Sequence, residues 1–191
     1  MGKTKNNENS NSVVRALNDL GLAAWFGGSL MGAIGLNGAA AQADSPRERA
    51  KVANAGWARW TPANLAAIGA YSVGSLALLG ANKGRLGGQQ GVAKVALMKT
   101  ALTAAAMGAT AYSRVLGQKM MDAGDPIVEG ATEPTSVTPP EVADAQRKLK
   151  VLQWVVPALT GVTMVLDSKM GEQQRPADVA KGVVRRLNPA A

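Results

Sequence analysis

The stretch that decides the fold is Leu20 to Ala43, LGLAAWFGGSLMGAIGLNGAAAQA, which contains no charged side chain. The nearest charges, Asp19 and Asp44, lie immediately outside it. A helix of roughly 20 apolar residues is long enough to cross the hydrocarbon core of a bilayer. This segment therefore predicts a transmembrane helix.

Three further apolar segments follow along the chain. Residues 60–82 are bounded by Arg59 and Lys83, whereas residues 95–116 contain Lys99 near their start. Residues 151–166 are uncharged but short, and they contain a proline. The pattern predicts an all-α polytopic membrane protein, with about four transmembrane helices packed as a small bundle within residues 13–166.

The composition agrees with helices packed in lipid. Hydrophobic residues make up 47% of the chain but aromatic residues only 4%, so the apolar content is mainly Ala, Gly, Leu and Val. Ala and Gly bury little area in a soluble core, yet they let helix backbones approach closely inside a membrane. The mean hydropathy of −0.01 averages these segments with strongly polar connections.

The polar connections differ in kind. Residues 1–12 are predicted to be disordered, and residues 117–147 form an acidic, proline-rich linker that we expect not to pack. Its last part, PPEVADAQRKLK at 139–150, predicts a helix start that leads into the fourth apolar segment. Residues 44–59 open with Ser-Pro and predict a short amphipathic helix on the membrane surface. Residues 83–94 predict a Gly-rich basic turn, and residues 167–191 a polar basic tail with a short helix at 176–187.

The net charge of +8 at first favours a nucleic-acid partner. The basic residues, however, flank the apolar segments, as insertion into an anionic bilayer requires, so we expect a lipid partner and no nucleic acid. Lys and Arg in the N-terminal segment, the 83–99 region and the tail favour cytoplasmic termini, although the basic 44–59 loop opposes this orientation. Segments such as AAWFGGSLMG are typical of small bacterial membrane proteins, so we expect a multi-pass plasma-membrane protein.

A signal peptide is the alternative interpretation of the first segment. Lys3, Lys5 and Arg15 would form its basic region, and Ala41-Gln42-Ala43 an A-x-A cleavage site. The apolar part exceeds the usual 7–15 residues, and Asp19 directly precedes it. A retained helix is therefore favoured over a secreted helical protein that begins at Asp44.

Small residues recur at four-residue spacing, which places them on one helix face. They are Ala24, Gly28 and Gly32 in the first segment, Ala66, Ala70 and Gly74 in the second, and Ala101, Ala105 and Ala109 in the third. Such faces predict helix packing within one chain, with a dimer contact as the alternative. Trp57, Trp60 and Trp154 are predicted to lie at the lipid–water interface.

The chain lacks the residues of common catalytic sites. It contains no Cys and no His, which excludes thiolate nucleophiles, the Ser-His-Asp triad and most zinc sites. Glycines 84, 87, 88 and 91 are not followed by the GK[ST] ending of a P-loop. Paired carboxylates occur only in the linker, and Lys99 is expected to reach the headgroups. We therefore expect no cofactor and no metal.

These observations predict a non-enzymatic accessory or structural membrane protein that contacts other membrane proteins or a second copy of itself. A small channel or transporter subunit is the first alternative, but the segments offer few polar side chains for an aqueous path. Secretion after cleavage near Ala43 and an enzyme acting on lipid are the others.

Overall fold

The computed structural model describes residues 2–81 and 92–172, and this part of the chain is almost wholly helical. Helix α1 runs over Gly2–Met31 and continues through a π-helical turn, Gly32–Leu36, into α2, Asn37–Ala41. Helices α3 and α4 span Pro46–Ala81 and Val92–Asp122. Strands β1, Val128–Gly130, and β2, Glu133–Pro134, precede α5, Pro140–Glu172.

The long helices pack as two antiparallel hairpins placed side by side. One hairpin pairs α1 with α3 and the other pairs α4 with α5, while α1 also packs against α5. Helices α3 and α4 make few contacts with each other. The bundle therefore has a closed centre and one open side, between α3 and α4.

Within residues 2–81 and 92–172, three helical segments are long and apolar enough to cross a membrane: Ser12–Ala41, Pro46–Gly80 and Pro140–Lys169. They contain the predicted segments 20–43 (up to Ala41), 60–82 (up to Gly80) and 151–166. Helix α4 contains the predicted segment 95–116 but is not among the three, because its Lys, Thr, Gly and Ser residues lower its hydropathy. The all-α class is thus confirmed, with three candidate spans.

The core at the centre of the bundle joins all four long helices. Leu22 and Trp25 of α1 meet Ala67 and Tyr71 of α3, and the cluster also holds Ala106 of α4 and Val156 of α5. A second cluster lies between α4 and α5, toward the linker, and consists of Leu116, Met120, Val142 and Ala145. Helix α1 therefore supplies Trp25, the largest side chain of this core, against which the other helices pack.

The start of α3 corrects the expectation of a separate surface helix at 44–59. The Ser45 hydroxyl accepts from the Glu48 backbone N–H, while the Glu48 carboxylate accepts from the Ser45 N–H, which is a capping box. Pro46 occupies the first helical position, where its missing N–H costs nothing. The helix then continues through Pro62 to Ala81 without a break, so residues 46–59 belong to the same rod as the apolar segment.

The linker is ordered and packed, contrary to the expectation for residues 117–147. Helix α4 extends to Asp122, and the β1–β2 hairpin packs against α3 and α5. Val128 is fully buried, and the buried Gln146 amide donates to the carbonyls of Gly130 and Ala131. One buried valine and one buried amide are enough to fix a polar loop that composition alone identifies as unstructured.

The structure bears on the prediction for the N-terminal segment but not on the prediction for the C-terminal tail. The backbone of residues 2–12 is helical where the sequence predicts disorder. No proline or glycine interrupts residues 3–20, so the hydrogen bonding of α1 can propagate toward the terminus. Helix α5 ends at Glu172, and the predicted tail helix at 176–187 lies outside the described residues, as does most of the 83–94 turn.

Candidate functional site

A cavity of about 580 Å³ lies between α3 and α4, where the two helices make few contacts. Helices α1 and α5 form its floor, and the hairpin closes the end nearest the linker. Leu65 and Ala111 on its walls are exposed, so the cavity opens to the outside of the bundle. We call this cavity the lateral groove.

Two buried polar atoms in the walls of the lateral groove have no partner. Trp60 and Asn64 both line it, and neither the Trp60 Nε1 donor nor the Asn64 Oδ1 acceptor makes a hydrogen bond with any group in the described part of the chain. The two residues are four apart on α3 and therefore share one helix face. A buried polar group without a hydrogen-bond partner lowers the stability of a fold by roughly 1–3 kcal/mol. This helix face therefore has two polar groups that a bound molecule could satisfy.

Arg114 gives the lateral groove its charge. The residue lines the groove, is exposed, and makes no ion pair with the residues the structure describes. Trp25 donates to Thr110, and Gly28, one turn further along α1, contacts Trp60. Because α1 and α4 run in the same direction, Trp60 and Arg114 lie at about the same level on opposite walls.

The indoles of Trp57 and Trp60 fill glycine notches on α1. A Cβ at Gly28 would lie 1.8 Å from the Trp60 ring, and a Cβ at Gly32 would lie 2.2 Å from the Trp57 ring. The predicted GxxxG pair is therefore a contact within the chain, between glycines and aromatic rings. Both indole rings face α1, and the position of the two residues at the lipid–water interface stays a prediction.

A chain of hydrogen bonds closes the groove floor near the linker. Trp57 Nε1 donates to Asn37 Oδ1 at 2.9 Å, and Asn37 Nδ2 donates to Gln153 Oε1 at 2.8 Å, which links α3, α2 and α5. The π-helical turn directly precedes Asn37. Its extra residue turns the following side chains by about 100°, and thereby brings Asn37 to this position.

The opposite end of the groove is closed by a larger polar network. Tyr71 and Thr103 share a hydroxyl hydrogen bond of 2.8 Å between α3 and α4. Lys99 Nζ lies 5.4 Å from the Tyr71 ring centroid and forms a 2.5 Å ion pair with Asp167 of α5. Both charged side chains are largely buried, at 15% and 17% exposure. Lys99 is thus paired within the bundle and does not reach outward, contrary to expectation.

Asn18 extends this network to the remaining helix. Its Nδ2 donates to Asp167 at 3.3 Å, and its Oδ1 accepts from Ser75 at 2.7 Å. The network therefore joins α1, α3, α4 and α5 near the end where the chain begins. Each of these groups has a partner, so the network holds helices together and leaves no polar group free for a ligand.

The remaining predicted packing residues divide into contacting and exposed ones. Gly74 is buried, and a Cβ there would lie 2.5 Å from the Asn18 backbone nitrogen. Ala70 and Ala109 are partly buried, whereas four others are exposed: Ala24, Ala66, Ala101 and Ala105. Trp154 is 50% exposed, and its position at the lipid–water interface stays a prediction.

Sequence reasoning missed the residues that define the groove. Asn64 and Arg114 stood near the ends of predicted segments and carried no motif. Gly21 was also missed, although a Cβ added there would lie 2.5 Å from the Tyr71 backbone nitrogen. The available signal was that Gly21 and Gly28 are seven residues apart and so share a face.

Comparisons with protein-family models, with curated proteins and with solved structures find no match to this chain. Its function is therefore argued from geometry and chemistry.

Proposed function

We propose that the chain is a non-enzymatic integral membrane protein whose four long helices all cross the bilayer, and that it serves as an accessory or structural subunit. The observation that carries the proposal is the packing of α4 along α5. Lys99 pairs with Asp167 at one end, and Leu116 and Met120 pack on Val142 and Ala145 at the other. If α5 crosses the membrane, α4 beside it must cross as well.

The internal pairing of its polar groups makes α4 compatible with lipid. The charge on Lys99 is compensated by Asp167, and several hydroxyls of α4 bond to the helix itself or to a neighbour, as Thr100, Thr103 and Ser113 do. Ionisable groups inside membranes are tolerated when they face the bundle interior and are paired. Hydropathy alone underestimates such a helix, because it does not register the partner.

Four crossings place both chain ends on one side, and charge favours the cytoplasm for them. The basic 44–59 loop opposed this orientation, but Arg49 Nη1 lies 3.4 Å from Glu129 Oε1 of the linker and bonds its carbonyl. The acidic linker thus offsets basic charge at the same end of the bundle. What remains is the basic 83–99 region at the other end, which supports a plasma-membrane protein with cytoplasmic termini.

Packing also supports retention of the first helix. Cleavage after Ala43 would remove Leu22 and Trp25 from the central core, and Asn18 and Asn37 from the two polar networks. The absence of Cys and His from the chain supports a non-enzymatic role. Linker carboxylates are held in structural contacts, Glu129 with Arg49 and Glu133 with Lys150.

The test is extraction of the full-length chain from membranes, followed by intact-mass measurement. Carbonate and urea washes should leave the chain in the pellet, detergent should release it, and the mass should include residues 2–43. Recovery of the chain in the washed supernatant would overturn the membrane assignment. A mature chain that begins at Asp44 would overturn the four-crossing bundle.

A further inference from the structure

The lateral groove has the dimensions of a single lipid chain. Its lining on α4 runs from Met107 to Met121, which at 1.5 Å per residue is about 20 Å. One leaflet of a bilayer core is about 15 Å deep. A narrow groove of this length, with a cavity volume of about 580 Å³, accommodates one acyl chain.

The walls of the groove are mostly apolar, and a few polar groups lie close together among them. Leu65, Ile68 and Met107 line the part of the groove furthest from the linker. Nearer the linker, Trp60 Nε1 is a donor without an acceptor, and the Asn64 amide can present either its oxygen or its N–H₂. Two ester carbonyls at neighbouring depths, as in a glycerolipid, would accept from Trp60 Nε1 and, with the Asn64 amide turned so that Nδ2 faces the groove, from Asn64.

Arg114 adds a positive charge at the level where such a lipid would carry its headgroup. It lies opposite Trp60, on the wall of the groove that α4 provides, and no carboxylate of the described chain pairs with it. Guanidinium groups bind phosphate through paired N–H donors. The charge complementarity is therefore with an anionic headgroup.

We infer that the lateral groove binds one anionic glycerophospholipid of the surrounding bilayer. One acyl chain lies along Leu65, Ile68 and Met107, the ester carbonyls accept from Trp60 and Asn64, and the phosphate contacts Arg114. This inference rests on the proposed membrane insertion, which the extraction experiment tests separately. A lipid held in this way completes the side of the bundle where α3 and α4 fail to meet.

Lipid titration of the delipidated full-length protein in detergent, read by native mass spectrometry, tests the inference. The probes are dioleoyl-phosphatidylglycerol and dioleoyl-phosphatidylcholine, which share acyl chains and esters but differ in net charge. We expect one retained phosphatidylglycerol per chain, bound roughly tenfold more tightly than phosphatidylcholine, because the positive charge of choline offsets the phosphate charge that Arg114 attracts.

Two pairs of variants separate the groove from its surroundings. Gly117 lines the groove and Gly108 does not, yet a Cβ at either meets nothing within 4 Å. Gly117→Leu should therefore fill the groove and weaken both lipids at least tenfold, whereas Gly108→Leu should change neither. Arg114→Gln should remove the preference for phosphatidylglycerol, and Arg59→Gln, at a basic exposed residue outside the lining, should keep it.

Several outcomes would overturn the inference. Equal binding of the two lipids by the unaltered protein would show that the site does not select an anionic headgroup. Unchanged binding by Gly117→Leu would show that the lipid does not bind in the groove. A dimer mass that disappears in Gly117→Leu, without lipid binding, would show that the groove is an interface between copies. Loss of all lipid binding by a chain that still resists carbonate washing would refute the lipid site alone.

Discussion

Gly21 is one of two glycines, with Gly74, at which the backbones of α1 and α3 approach each other closely. A Cβ at this position would lie 2.5 Å from the backbone nitrogen of Tyr71 and 2.6 Å from the carbonyl oxygen of Ala67. Backbone atoms cannot turn aside as a side chain can, so even one methyl group would force α1 and α3 apart. The same helix has Gly27, where an added Cβ meets nothing.

This difference predicts opposite signs for the same substitution. Gly21→Ala should lower the free energy of unfolding in detergent by about 1–3 kcal/mol, as overpacked cores do. Gly27→Ala should raise it by up to about 1 kcal/mol, because Ala is the better helix former. Thermal midpoints in one detergent provide the comparison. Equal shifts for the two variants would show that α1 and α3 are not in close contact.

Trp57 and Trp60 show how the same residue supports two interpretations. Their position beside an apolar segment favoured the lipid interface, whereas their rings fill the notches at Gly28 and Gly32. The four-residue spacing of the glycines was visible in the sequence, but the side chains that pack against these glycines were not. Complementary shapes on two helices depend on their register, and a single sequence does not specify register.

Helix α4 is held to its neighbours by polar contacts as much as by apolar ones. The pair of Lys99 and Asp167 joins it to α5, and Tyr71 of α3 contacts both Lys99 and Thr103. A second pair, Asp144 with Lys148, lies exposed and has both of its members on α5. The two pairs therefore make a matched comparison of buried and exposed charges.

Asp167→Asn should lower the unfolding midpoint clearly, because it leaves Lys99 charged without its partner, a loss of up to about 3 kcal/mol. Adding Lys99→Gln should restore part of that loss. Asp144→Asn should leave the midpoint unchanged, since exposed pairs contribute little. If Asp167→Asn and Asp144→Asn behave alike, the network does not hold α4 in the bundle.

The elements themselves were largely visible in the sequence, and so were two of their starts. Ser-Pro at 45–46 and the segment from Pro139 predicted helix starts, and α3 begins at Pro46 and α5 at Pro140, whereas the unbroken run of α3 from Pro46 into the apolar segment was not predicted. The Ser45–Glu48 capping box explains the first of these starts. The linker was mistaken for unstructured chain because its order depends on Val128 and Gln146, whose burial arises only when α3, α4 and α5 are already packed.

The molecule as a whole has one complete face and one incomplete face. Helices α1, α3 and α5 pack around Trp25, while the side between α3 and α4 holds the lateral groove with its unpartnered Trp60 and Asn64 atoms. No sequence pattern indicated this groove, because it results from two helices that are close but make few contacts. A lipid that completes this face would make the bilayer part of the folded structure.

The number of crossings determines everything proposed for the whole chain, and two-sided cysteine labelling counts them. The chain has no native Cys, so Ser136→Cys in the linker and Gln89→Cys in the α3–α4 connection can each be introduced alone. Ser136 is exposed, so an impermeant maleimide can reach it. In intact cells Ser136→Cys should be labelled from outside, and Gln89→Cys only after the membrane is permeabilised. Labelling of both positions from the same side would show that α4 does not cross, and would contradict the four-helix membrane bundle.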